Sequence, residues 1–188
     1  MTSKSDLQAL LALTKSQYRI NHPSPSGHPY DKIIVGAVIF HPASSPPAKT
    51  LLLKRAANEE FYPNVFEIPG GHVEDTDADI YQALVREIQE ETALSVDSVI
   101  ASIEPFAYST EKTVTRGEEK VVVQKSSLQL NFICEITEAT FRVNPEEHSE
   151  GMWVAKDEVG KLQMTEEMRL VVEGAFRWKE SQAALIRE

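Results

Sequence analysis

Apolar and polar residues follow two periods along this chain. Residues 5–18 follow the helical one: Leu7, Leu10, Leu11 and Leu13 form an apolar side, and Ser5 or Asp6 stands where a cap belongs. Residues 21–29 are rich in Pro, Ser, Gly and His and read as a linker or loop. His22 and His28 lie in it at a spacing that matches no metal motif, and read as surface residues. Residues 32–40, KIIVGAVIF, read as a strand buried on both faces; a Ser/Pro-rich loop then leads to a second strand, LLLKR, at 51–55.

Residues 62–94 combine a short strand (65–68), a Pro-Gly-Gly loop and an acidic helix bearing Arg86-Glu87-Ile88-Gln89-Glu90-Glu91. Downstream, 96–108 reads as one strand or two short ones. Residues 109–119 are polar and hold a turn signal, Thr115-Arg116-Gly117. Residues 120–135 alternate as a long strand paired back onto the preceding one, and 141–143 reads as a short edge strand. Asp157 begins a helical turn. Residues 165–186 form a final amphipathic helix packing through Met168, Val171, Val172, Ala175 and Phe176. No repeat or low-complexity tract interrupts this order, which suits one α/β domain with a mixed sheet between helices.

Composition narrows the function. The 188 residues suffice for one domain with a sizeable core, and 41% hydrophobic with 26% charged residues is ordinary for a globular protein. A net charge of −10 argues against a nucleic-acid polymer as partner, which needs a basic surface. It leaves anionic small molecules open, because a bound cation inverts the local field. One cysteine, Cys134, excludes an intrachain disulfide and fits a reducing, cytoplasmic setting; its apolar strand context reads as core. No apolar run is long enough to span a membrane, and residues 7–13 make a poor signal peptide.

The chemistry concentrates on the acidic helix. Glu87, Glu90 and Glu91 stand at i, i+3 and i+4, so one face carries all three carboxylates beside an apolar stripe of Tyr81, Leu84, Val85 and Ile88. Like charges this close destabilise a helix unless something neutralises them, and carboxylate oxygens suit Mg2+, Mn2+ or Ca2+. The competing reading is a solvated face with Arg86 and Glu90 as an i,i+4 pair. Glycines just upstream favour a ligand, since they let backbone amides approach one closely.

These residues resemble the Nudix box, G-x5-E-x7-R-E-U-x-E-E-x-G-U with U aliphatic: Gly71, REIQEE at 86–91 and Leu94 match, and the flanking FEIPGG is also similar. The sequence departs from the pattern in three ways. The run from Gly71 to Arg86 is one residue longer, the expected glutamate is replaced by Asp77 or Ala78 according to the direction of counting, and Ala93 stands where the box has glycine. Glycine is the usual residue for a left-handed helix end; alanine there costs about 1 kcal/mol, or the helix ends differently.

The resemblance implies a Nudix fold (a mixed sheet sandwiched between helices) over residues 31–188, preceded by an N-terminal helix and linker at 1–30. It implies Mg2+-dependent hydrolysis, with Mn2+ able to substitute, of a small-molecule diphosphate: a nucleoside triphosphate or a nucleotide sugar such as ADP-ribose. Glu87, Glu90 and Glu91 with the Gly71 carbonyl would hold metal, and Arg86 would orient the carboxylates. The base would be Glu87 or a glutamate of the 145–154 stretch, Glu147 before Glu150. Lys54, Arg55, Phe66 and Glu67 are candidate substrate contacts, and Phe61, Tyr62 and Phe66 can stack a base or serve as core. A catalytically silent binding module and an isoprenoid-diphosphate enzyme remain alternatives, although Cys134 sits in no motif that the latter needs. The assembly would be a monomer or homodimer.

Overall fold

A computed structural model describes residues 3–43, 46–116 and 119–185. In chain order its elements are α1 (Lys4–Leu11), α2 (Lys15–Asn21), β1 (Lys32–Ile39), β2 (Lys49–Arg55), β3 (Phe66–Glu67), β4 (Gly70–His72), α3 (Ile80–Thr92), β5 (Ser98–Arg116), β6 (Glu119–Glu135), β7 (His148–Ala155) and α4 (Glu166–Leu185). A 3-10 turn at Lys156–Lys161 leads into α4. One sheet has the order β4-β1-β6-β5 and a second the order β3-β2-β7. The β1–β6 pairing is parallel and the others are antiparallel, so the sheet is mixed.

Strand β1 has the two buried faces that its apolar run requires. Ile33, Val35, Ala37 and Ile39 pack with Ile80, Leu84 and Ile88 of α3, whereas Val38 packs with Met168, Val172 and Phe176 of α4. Each such fully buried side chain contributes roughly 2 kcal/mol. The sheets therefore lie between α3 on one side and α4 on the other, as the resemblance implies, and α4 buries the five residues expected of it. Cys134 is buried in the α3-side core.

The N-terminal segment differs from the single helix expected over 5–18. It forms two helices, because Thr14 and Gln17 make a capping box that starts α2 afresh. In the break between them the Leu13 carbonyl accepts from the Ile80 N–H at 3.0 Å, so the segment caps the first turn of α3. Leu7, Leu11 and Tyr18 join the same core as Ile80.

The polar run from 109 continues β5 to Arg116, in register with β6 as far as Glu119; the expected turn at Gly117 lies outside the described residues. Residues 141–143 are not a strand. Instead the Arg142 and Asn144 N–H groups donate to the Thr92 and Glu91 carbonyls, satisfying acceptors at the end of α3 that have no partner within the helix. The strand expected at 65–68 is limited to Phe66–Glu67.

Helix α3 ends as a glycine-terminated helix would, with alanine in place. Ala93 takes φ 58° and ψ 13°, and its N–H bonds the Gln89 carbonyl. Replacing Ala93 with Gly should relieve that strain, net of the added chain entropy, by about 0.5–1 kcal/mol, a rise of about 1–4 °C in Tm measured calorimetrically.

Candidate functional site

Asp79 caps α3 by accepting from the Gln82 N–H at 2.8 Å, and the helix then buries Ile80, Ala83, Leu84 and Ile88. The acidic stripe beside that apolar one is only partly solvated. Side-chain exposure is 10% for Glu87, 3% for Glu91 and 54% for Glu90. Backbone lies directly against the two buried carboxylates. The Gly70 N–H donates to Glu91 Oε2 at 2.8 Å, and a Cβ added at Gly71 would stand 2.5 Å from the Glu87 carboxylate carbon. A Cβ at Gly70 would collide with the Val35 carbonyl, so fixed backbone requires glycine at that position.

Arg86 binds this stripe to the preceding loop. Its Nε and Nη2 donate to the two Asp77 oxygens at 3.0 and 2.9 Å, and Nη2 also reaches the His72 carbonyl at 2.9 Å. Nη1 donates to Glu87 Oε1 at 2.9 Å and to Glu90 Oε2 at 3.0 Å. Asp77 also accepts from the Glu74 N–H at 2.8 Å, so this shorter acid joins loop and arginine across the longer spacing. Its bond from Arg86 holds its carboxyl below the usual range, and Arg86 is raised chiefly by Asp77. The arginine thus orients carboxylates, with each of its three nitrogens committed within the protein.

Burial pushes the Glu87 and Glu91 carboxyls above the usual range, Glu91 far above, and the negative charge of Glu147 adds to both shifts. Arg86 offsets part of the charge on Glu87, whereas Glu91 has only the Gly70 N–H among the described residues and is poorly compensated as an anion. The donor set is all hard oxygen, which fits a divalent cation such as Mg2+. The cradle is not closed as it stands: among the described residues no three acidic, His or Cys side chains converge as a ready cage, because Arg86 spans Glu87 and Glu90. Glu90 is the most exposed of the three and, among the described residues, is held by Arg86 alone.

A second polar chain lies behind Glu91. Arg55 Nη1 donates to Glu67 Oε1 at 2.8 Å, and His148 Nε2 stands 3.2 Å from that same oxygen. His148 is 2% exposed, its Nδ1 is 3.8 Å from Glu91 Oε1, and Nδ1 has no hydrogen-bond partner among the described residues. Sequence reasoning passed over this histidine, although it lies beside Glu147 in the acidic stretch. Glu147 itself is exposed and accepts from Asn144 Nδ2 at 3.2 Å.

The other expected contacts divide. A cavity of about 220 Å³ opens beside Gly70 and Gly71 and is lined in part by Arg55, Glu67, Phe66, Phe61 and Tyr62. Arg55 turns three of its five donors inward, to Glu67, Glu59 and the Phe61 carbonyl. Neither Lys54 nor Glu150 lines the cavity; the Lys54 ammonium stands 5.7 Å from the centre of the Phe66 ring and 3.9 Å from Glu150. Phe66 is buried in the α4-side core as well as lining the cavity.

Comparison with known proteins gives a family and a fold. The NUDIX domain family profile matches residues 32–175. No curated protein matches the chain. Among solved structures, the NUDIX domain of Shewanella oneidensis NrtR complexed with ADP-ribose is 18% identical with a TM-score of 0.57, over 87% of this chain and 97% of that one. A MutT NUDIX hydrolase from Burkholderia pseudomallei is 19% identical with a TM-score of 0.55, over 76% and 96%. A C. elegans Ap4A hydrolase is 16% identical with a TM-score of 0.56, over 80% and 98%. At such identities the likeness is one of fold.

The Glu91 environment has a measurable consequence. A carboxyl whose folded pKa is raised adds stability at acid pH that is lost as pH climbs from its ordinary 4.5 through the raised value. In EDTA, the Glu91→Gln variant should therefore match wild type at low pH and exceed it increasingly as pH rises; 1 kcal/mol appears as about 2–4 °C in Tm. Added Mg2+ should raise the Tm of wild type and not of the variant. A variant less stable than wild type in EDTA at neutral pH would contradict this account.

Proposed function

The chain belongs to the Nudix family, and on that premise we propose that it is a Mg2+-dependent hydrolase of a nucleoside diphosphate derivative, cleaving the diphosphate linkage by attack of water at phosphorus. A nucleoside triphosphate or a nucleotide sugar is the substrate class. The observation that carries this reading is the burial of two α3 carboxylates against the Gly70–Gly71 backbone, which itself lines a cavity of about 220 Å³.

Glu87, Glu90 and Glu91, with the Gly71 carbonyl, are the groups that would hold the cation. Such a cation, when bound, offsets charge on phosphate oxygens and lowers the pKa of water. The chain's own contribution is positional. Arg86 ties Glu87 to the loop through Asp77 and His72 O, which fixes the carboxylate relative to the glycines. Glu91 is fixed by the Gly70 N–H. Glu147, whose charge is felt at both buried carboxyls, is the side chain we assign to accept the proton of the attacking water, with Glu87 as the other candidate. Arg55 lines the cavity with two donors left for a phosphate after its three internal bonds. Lys54 has no part in this reading.

Product release from nucleoside triphosphates, ADP-ribose and nucleotide sugars tests the proposal. Turnover should require Mg2+, stop in EDTA, and fall at least about 100-fold in a Glu90→Gln/Glu91→Gln variant that keeps its circular dichroism. Absence of turnover on every compound by folded wild-type protein would overturn it. Replacing Asp77 with Ala should lower kcat about tenfold or more through loosened Arg86 geometry, with KM less affected.

A further inference from the structure

The cavity floor is a polar stripe inside a sheet. Strand β6 alternates Ser127, Gln129 and Asn131 with Leu128, Leu130 and Phe132. The apolar set packs into the α3-side core, so the polar set faces the other side. That side is not solvent: exposure is 1% at Ser127, 8% at Gln129 and 1% at Asn131. Buried amides need partners, and the partners here fix their orientation. In β5 a bulge sets Glu104 and Pro105 opposite the single residue Leu130. The Glu104 carbonyl accepts from Asn131 Nδ2 at 3.0 Å. A carbonyl can only accept, so the Asn131 oxygen must face the other way, where it accepts from Gln129 Nε2 at 3.0 Å. This relay leaves Gln129 Oε1 as an acceptor with no partner among the described residues, on a side chain that lines the cavity.

Aromatic side chains line the same cavity as that acceptor. Phe106 is the cross-strand neighbour of Gln129, Tyr108 that of Ser127, and Phe61 and Tyr62 come from the facing loop. Burial pushes the Tyr108 hydroxyl up to about 12, so it stays neutral. The volume of about 220 Å³ is below the range of sites that enclose a drug-sized ligand, and suits one planar ring system with its phosphates outside, toward Gly70 and Gly71.

We propose that this cavity seats an amino-substituted nucleobase, with Gln129 Oε1 accepting from the base's amino group and Asn131 acting as the positioning residue that holds the Gln129 amide. The proposal deepens the hydrolase reading by naming the group that the enzyme selects. A keto group in place of the amine (AMP to IMP, CMP to UMP) would set two acceptors face to face, and loss of the amine (GMP to IMP) would leave Gln129 unpaired, the situation that gives polar sites their discrimination.

Calorimetric titration of the full chain in EDTA tests it, using AMP, GMP and CMP against IMP and UMP, with ribose 5-phosphate as the sugar control. At least one amino member of the pairs AMP/IMP, GMP/IMP or CMP/UMP should bind about tenfold tighter or better. Gln129→Met should bring that ratio near one. Asn131→Ala should relax it while the glutamine remains, and it serves as the deciding variant if Gln129→Met does not fold. Equal binding within every pair, an unchanged ratio in the folded variants, or ribose 5-phosphate binding as tightly as the nucleotides would overturn the proposal. Because these titrations need no metal, the two readings fail separately. Turnover with no amino preference sinks the base seat alone, and amino preference without turnover sinks the hydrolase alone.

Discussion

The close approach of the Gly70–Gly71 backbone to the buried acidic stripe of α3 is the constraint on which the rest of the site depends. Glu91 takes the Gly70 N–H, and Glu87 occupies the space that a side chain at Gly71 would need. Because β4 pairs with β1, these contacts also fix where α3 sits against the central strand. The same two glycines line the cavity, so the buried carboxylates lie directly behind its wall. A side chain at Gly70 would collide with the β1 backbone, and one at Gly71 would displace the Glu87 carboxylate.

Charge in this region is arranged in two chains that meet at α3. One runs from Asp77 through Arg86 to Glu87 and Glu90, and the other from Arg55 through Glu67 and His148 toward Glu91. Between them they leave Glu91 buried with one backbone donor and a distant histidine, which is an unfavourable place for an anion without a cation nearby. The arginine compensates the outer carboxylates and leaves the inner one short of positive charge. Such an imbalance is common where a protein's charges are completed by a ligand.

The departures from the box pattern are absorbed by local geometry. Asp77 is a shorter acid on a longer loop, and the two changes offset each other well enough for its carboxylate to meet Arg86 Nε and Nη2 and the Glu74 N–H. Ala93 keeps the left-handed helix end at a cost that the packing of Leu94 and the bonds from Arg142 and Asn144 can sustain.

Much of this architecture was legible in the sequence, because it rests on short-range rules. Periodicity placed β1, β2, α3 and α4, and helical spacing alone put Glu87, Glu90 and Glu91 on one face. Where local signals competed, the reading slipped. A continuous leucine pattern hid the capping box at Thr14, and a polar run hid the outer half of β5, which has no core to face, although its partner β6 was legible. Residues 141–143 bond the end of α3 instead of a strand, a choice that no local pattern records. Long-range contacts were out of reach altogether. Alternation in β6 separates Gln129 from Leu128, yet a strand's polar face is by default its wet one, and only the packing of α4 and the 61–66 loop over that face makes it a cavity. Likewise the sequence presents Lys54 and Arg55 as equal cations, and strand alternation sends one to the Phe66 ring and the other to Glu67 beside the cavity. The sequence by itself determined which groups lie on which face of each element; which faces became buried, and against what, was decided by the tertiary structure, because burial is a property of the neighbours that the chain brings back from far away.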